Sequence, residues 1–237
     1  MLAQPNDTEN QTTRLVTSVA QQLRVLLLQV ARASELSAEV PPSQEQIAAM
    51  QRASQVGLQL VENYLLGLQY HDNQIELLLE PVSLSALLSE VAHELQYVAK
   101  NYHTEIELHI AGKYPPIMAD RAALKAAVMS LGYGLVTNYV TGDKRGLVQL
   151  AAHRTPHGMV AGVYSDKPLS EDDLRRGRLL QGKASQPIKG LAPASGAGIF
   201  VADSLLQAMG ASLRSSKFQK RYGLGATFTT SGQLQLI

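Results

Sequence analysis

The residues able to do chemistry are sparse in this chain, and one absence narrows the field at once. Among 237 residues there is no cysteine, which excludes disulfides, thiolate catalysis and cysteine-ligated metals. The stretch AHELQY at 92–97 sets His93 beside Glu94, but position 97 is Tyr97, where a zinc-protease helix needs a second histidine. His93 is read as a flank residue of an amphipathic helix, with phosphate acceptance as its alternative role. His153 and His157 straddle an expected hairpin turn, and no neighbouring residue completes a metal set. Basic clusters occur at Arg175, Arg176 and Arg178 and at Lys217, Lys220 and Arg221. The net charge is only +1, so these read as solvated faces, and nucleic acid is not expected as a partner.

The elements that must position such residues fall into two textures. Over 13–36, Val16, Val19, Leu23, Leu26, Val30 and Ala33 recur in steps of three and four, a heptad seam. VPPS at 40–43 breaks that helix, and Ser43 with Gln46 forms a capping box for a second one. The second seam runs Ile47, Met50, Ser54, Gly57, Val61, Tyr64 and Leu68, with Leu58, Leu60 and Leu65 beside it. One hairpin cannot bury all of these. Two hairpins pairing as a four-helix bundle can, so a homodimer is expected.

Beyond about residue 80 helices and strands mix. A helix is expected with Leu84, Leu87, Leu88, Val91, Leu95 and Val98 on one face, then a strand at TEIELHIAG. A second helix carries Leu124, Val128, Leu131 and Leu135. A β-hairpin covers GLVQLAAHRTPHGMVAGVYSD, a glycine-opened helix ends at Gly210, and a pair of strands closes the chain. The fold class is α+β: an N-terminal antiparallel helical hairpin followed by an α/β sandwich. The expected division is 1–12 as a flexible N-terminus, 13–78 as the dimerisation hairpin, and 79–237 as the sandwich. No apolar run is long enough to span a bilayer and the N-terminus lacks signal-peptide features, so a cytoplasmic protein without membrane contact is expected.

The order of these segments resembles the cytoplasmic core of bacterial sensor histidine kinases, a dimerisation and phosphotransfer hairpin followed by a Bergerat-type ATP-binding domain. EPVSLSALLSEV is similar to that family's entry into the ATP-binding domain. ADRAALKAAVMSL is similar to the start of its asparagine-box helix, SGAGIFVADSLLQAMG to its second glycine box, and GLGATFT to its closing strand. The resemblance spans roughly residues 13–230 and implies the histidine-kinase ATPase type of sandwich.

The departures from the family pattern fall on chemistry. In AQQLRVLL, Gln21 holds the place of the phosphoaccepting histidine, and an amide nitrogen delocalised into its carbonyl is no nucleophile. Gln22 replaces the acidic neighbour, and Val25 the residue that positions water for dephosphorylation. Ser130 and Gly134 hold the two asparagine positions and Thr137 the lysine; Gly134 offers magnesium no ligand. Asp166 matches the aspartate that bonds the adenine amino group, but DKPLS lacks the glycines that should follow. Gly196 and Gly198 remain of the second glycine box. They suit either a phosphate cradle at a helix N-terminus or a tight turn ahead of Ile199 and Val201.

The resemblance thus implies a degenerate kinase-like signalling protein, a dimeric scaffold or regulator. A response-regulator receiver domain or another partner would dock around Gln21, Gln22 and Arg24 without phosphoryl transfer. No catalytic or metal-binding residue is assigned. ATP or ADP, if admitted by Asp166, Gly196 and Gly198, should bind weakly and with little need of magnesium. If instead Pro168 and Phe200 close the pocket, nothing binds. The alternative function is an ATP-dependent histidine kinase or nucleotide-binding protein with relocated catalytic residues.

Overall fold

A computed structural model describes residues 43–71, 76–100, 102–110, 112–137, 146–166 and 193–229, with isolated positions between 23 and 34. The expected N-terminal tail and most of the first seam, Gln21, Gln22 and Val25 included, lie outside the described residues.

Helix α1 (Gln44–His71) opens on the expected capping box: the Ser43 amide donates to Gln46 Oε1 at 2.8 Å and the Gln46 amide to Ser43 Oγ at 3.2 Å. Its burial departs from the expected seam. Leu60, Asn63, Tyr64, Gly67 and Tyr70 are buried, a stripe of helical spacing that turns towards the rest of the chain, while Ile47, Leu58 and Leu65 are exposed. On the buried stripe Gly67 has no side chain, and α1 there lies within ordinary contact of Val201.

Strand β1 (Glu80–Val82) pairs antiparallel with β3 (Ile117–Ala119), a small two-stranded sheet. Helix α2 (Leu84–Lys100) buries Leu84, Leu87, Leu88, Val91, Leu95 and Val98, the face its spacing predicts. Helix α3 (Arg121–Thr137) is buried nearly all round, as befits a helix between two others. Helix α4 (Pro193–Ala208) ends where Gly210 adopts φ of 72° and the Ala211 amide returns to the Leu206 carbonyl at 2.9 Å.

The main sheet has the order β2 (Thr104–Ile110), β4 (Gly146–Thr155), β5 (Gly158–Ser165), β7 (Arg221–Phe228), β6 (Leu213–Phe218). All neighbours are antiparallel except β2 and β4, which run parallel. A parallel pair requires a crossover, and α3 lies on it. One sheet face, with Val148, Leu150, Met159, Ala161, Val163 and Leu224, packs under α2, α3 and α4, and α1 lies over those helices. Leu60, Tyr64 and Tyr70 of α1 belong to the same continuous core. The fold is therefore α+β, a sandwich with the hairpin's second helix as an additional layer.

Candidate functional site

The candidate site centres on α3, whose N-terminus is set by Asp120. Asp120 Oδ1 accepts the Ala123 amide at 2.9 Å, an N-cap on a helix end that favours negative charge. Its Oδ2 accepts the Leu78 amide at 3.1 Å and the Tyr70 hydroxyl at 3.4 Å. Burial, reinforced by the Asp120 charge, pushes the Tyr70 hydroxyl above its usual pKa.

Further along α3 stand the positions that replace the asparagines. Ser130 is buried, and its Oγ has no hydrogen-bond partner among the described residues. Gly134 is buried as well. The first turns of α4 lie directly against this part of α3. A Cβ built on Gly198 would stand 2.4 Å from the Ser130 carbonyl oxygen, well inside van der Waals contact. Gly196 and Gly198 both lie within α4, which begins at Pro193, rather than in a loop ahead of it. Gly198 thus permits close helix packing. Gly132 does the same on the other side of α3, where a Cβ would meet Leu95 Cδ1 at 2.3 Å. Between α3, α4 and the sheet, apolar side chains including Leu131, Val163, Leu206 and Phe228 leave a cavity of about 10 Å³, no larger than a water site. Phe200 is fully buried in the core; Pro168 lies outside the described residues.

Asp166 is placed elsewhere. Met159, Ala161, Val163 and Ser165 share the parity of the helix-covered face, so the next residue belongs to the opposite one. There Asp166 Oδ1 accepts Arg221 Nε at 3.1 Å, and the same guanidinium reaches Glu107 at 3.3 Å. Asp166 and Gly198 therefore share no partner: one faces the outer side of the sheet, the other packs between helices.

The outer face carries a cluster that sequence reasoning missed. Phe218, on edge strand β6, stacks on the His153 ring at 4.8 Å and lies 5.5 Å from Tyr164. Burial, with His109 adding to it, holds His153 below the ordinary histidine pKa. The Tyr164 ring folds back over Gly162, where a Cβ would stand 2.5 Å from its hydroxyl oxygen. The signal for this cluster lay in the glycines at 162 and 225, which leave room for the Tyr164 ring on that face.

The remaining candidates are dispersed. Arg24 is exposed, and Gln21 and Gln22 lie outside the described residues. His93 is exposed on α2 and meets Tyr97 edge-on at 5.4 Å. His157 is exposed in the β4–β5 turn. Among the described residues no three histidine or carboxylate side chains converge on one point. Of the positions expected to meet a nucleotide, Gly134 has no side chain, Gly198 is packed on Ser130, and Asp166 pairs with Arg221.

No protein-family description matches the chain, and no curated protein does. Solved structures do. The chain has the fold of histidine kinase cytoplasmic and catalytic regions, and that fold is what these likenesses establish. It is similar to the histidine kinase AdeS of Acinetobacter baumannii, with TM-score 0.51 and 15% identity over 89% of this chain and 97% of that one. It is also similar to full-length ShkA solved with AMPPNP, with TM-score 0.53 and 21% identity over 92% of this chain and 46% of that one. The catalytic domain of the histidine kinase ThkA matches 67% of this chain over all of its own length, with TM-score 0.50 and 12% identity. No helix among the described residues is long and apolar enough to cross a membrane.

Proposed function

We propose that this chain is a histidine-kinase-like signalling protein that acts through protein contacts and transfers no phosphoryl group. The observation that carries this reading is the packing of Gly198 onto the Ser130 carbonyl, with 2.4 Å left for a side-chain carbon. Gly198, where a phosphate would need an open backbone cradle, instead forms a helix–helix contact, and Gly134, at the position of the magnesium-binding asparagine, has no side chain to offer. Phosphoryl transfer depends almost wholly on positioning and on charge neutralisation at the phosphates, so a site without metal donors retains little of either. Gln21, in place of the accepting histidine, removes the other half of the reaction.

Three-dimensional likeness to kinase cores supports a dimeric scaffold or regulator as the remaining role. The exposed Ile47, Leu58 and Leu65 of α1 are consistent with a homodimer through the hairpin. A receiver domain or another signalling protein would dock on the surface bearing Gln21, Gln22 and Arg24. Reversing the charge of exposed Arg24 should then weaken capture of a receiver domain without altering the melting temperature. Incubating the purified chain with radiolabelled ATP and magnesium tests the reading itself: no acid-labile, base-stable phosphate is expected on the protein.

A further inference from the structure

We infer that Asp120 is a pin: it locks helix α1 onto the α2–α3–α4 layer, so that the hairpin's second helix and the sandwich turn as one body. An N-cap needs one carboxylate oxygen, and Oδ1 supplies it to Ala123. The second oxygen is spent on groups far off in sequence, the Leu78 amide leading into β1 and the Tyr70 hydroxyl in the last turn of α1. All three elements thus meet at one buried carboxylate. The rest of α1 reinforces the joint. Leu60 and Tyr64 are buried in the common core, and Gly67 lets the helix settle on Val201. A hinge at the end of α1 would have to break the long Tyr70–Asp120 hydrogen bond and uncover the apolar side chains that α1 buries. The inference is independent of whether nucleotide or a partner binds.

The absence of cysteine makes the test clean. Gln55→Cys and Ser89→Cys place spin labels on exposed positions of α1 and α2, away from the apolar residues assigned to the dimer surface. Pulsed electron resonance, on labelled chain diluted into unlabelled chain, should give one narrow distance distribution. Asp120→Ser keeps a good N-cap for α3, but its hydroxyl cannot also serve Leu78 and Tyr70. In that variant the Leu78 amide should exchange about tenfold faster or more, and the distance distribution should broaden. Tyr70→Phe, which removes only the hydroxyl, should broaden the distribution by a smaller step. A broad or multiple distribution in the unmodified background would overturn the inference, as would unchanged exchange and distances in Asp120→Ser. If the serine variant does not fold, Tyr70→Phe decides, and an unchanged distribution there also overturns it.

Discussion

Gly198 and Ser130 meet backbone to backbone: the Cα of the one sits so close to the carbonyl oxygen of the other that a Cβ would stand 2.4 Å from it. Gly198 survives from what resembles a second glycine box, and Ser130 holds the first of two positions that resemble an asparagine box, the metal-binding one being Gly134. The contact of Gly198 with Ser130 joins α3 to α4.

Replacing Gly198 with Ala should therefore destabilise the fold. Alanine gains about 1 kcal/mol in helix propensity, but a methyl forced onto a backbone oxygen in a packed interface costs more, leaving a net loss of about 1–2 kcal/mol. Gly67→Ala is the contrast, because its Cβ would lie 3.4 Å from Val201, an ordinary contact. That variant should be neutral or slightly more stable. Urea denaturation of both variants checks the pair, and equal stability of the two would contradict the packing described.

His153 predicts a pH dependence. Its pKa in the folded chain is depressed below the ordinary 6.5 by burial, with His109 as the lesser cause. The unfolded chain then binds more protons between the two values, so stability rises with pH across that window. The contribution is complete above about pH 6.5 and is lost as pH falls through the folded-state value. His153→Phe retains an aromatic ring against Phe218 and should flatten the acid limb of the stability profile. An unchanged limb, measured by denaturation from pH 5 to 8, would assign the proton uptake elsewhere.

A dimer through the hairpin should show in light scattering at micromolar concentration. Leu58→Arg and Leu65→Arg alter exposed positions of α1 and should shift the mass to that of a monomer without lowering helicity. A monomeric unmodified chain would remove the dimeric half of the proposed function.

Much of this fold was legible because burial left periodic traces. The spacing of Leu84, Leu87, Leu88, Val91, Leu95 and Val98 named the buried face of α2, and Ser43 with Gln46 named the start of α1. The parallel pairing of β2 with β4 was not legible, since it joins segments about forty residues apart and leaves no local pattern. The same holds for Asp120: its role as a cap lies within three residues, while its bonds to Tyr70 and Leu78 span 50 and 42. The orientation of Asp166 was hidden for a different reason. Strand β5 is buried on both faces, so its composition does not alternate, and the parity that turns Asp166 towards Arg221 cannot be read from it.

Isothermal titration of the purified chain with ATP, in magnesium and then in chelator, tests the central claim most directly. The proposed function predicts no heat, or weak binding that is the same with and without the metal, and no gain on Gln21→His. Tight binding that disappears in chelator would contradict it. Such a result would require a magnesium ligand from a residue other than Gly134.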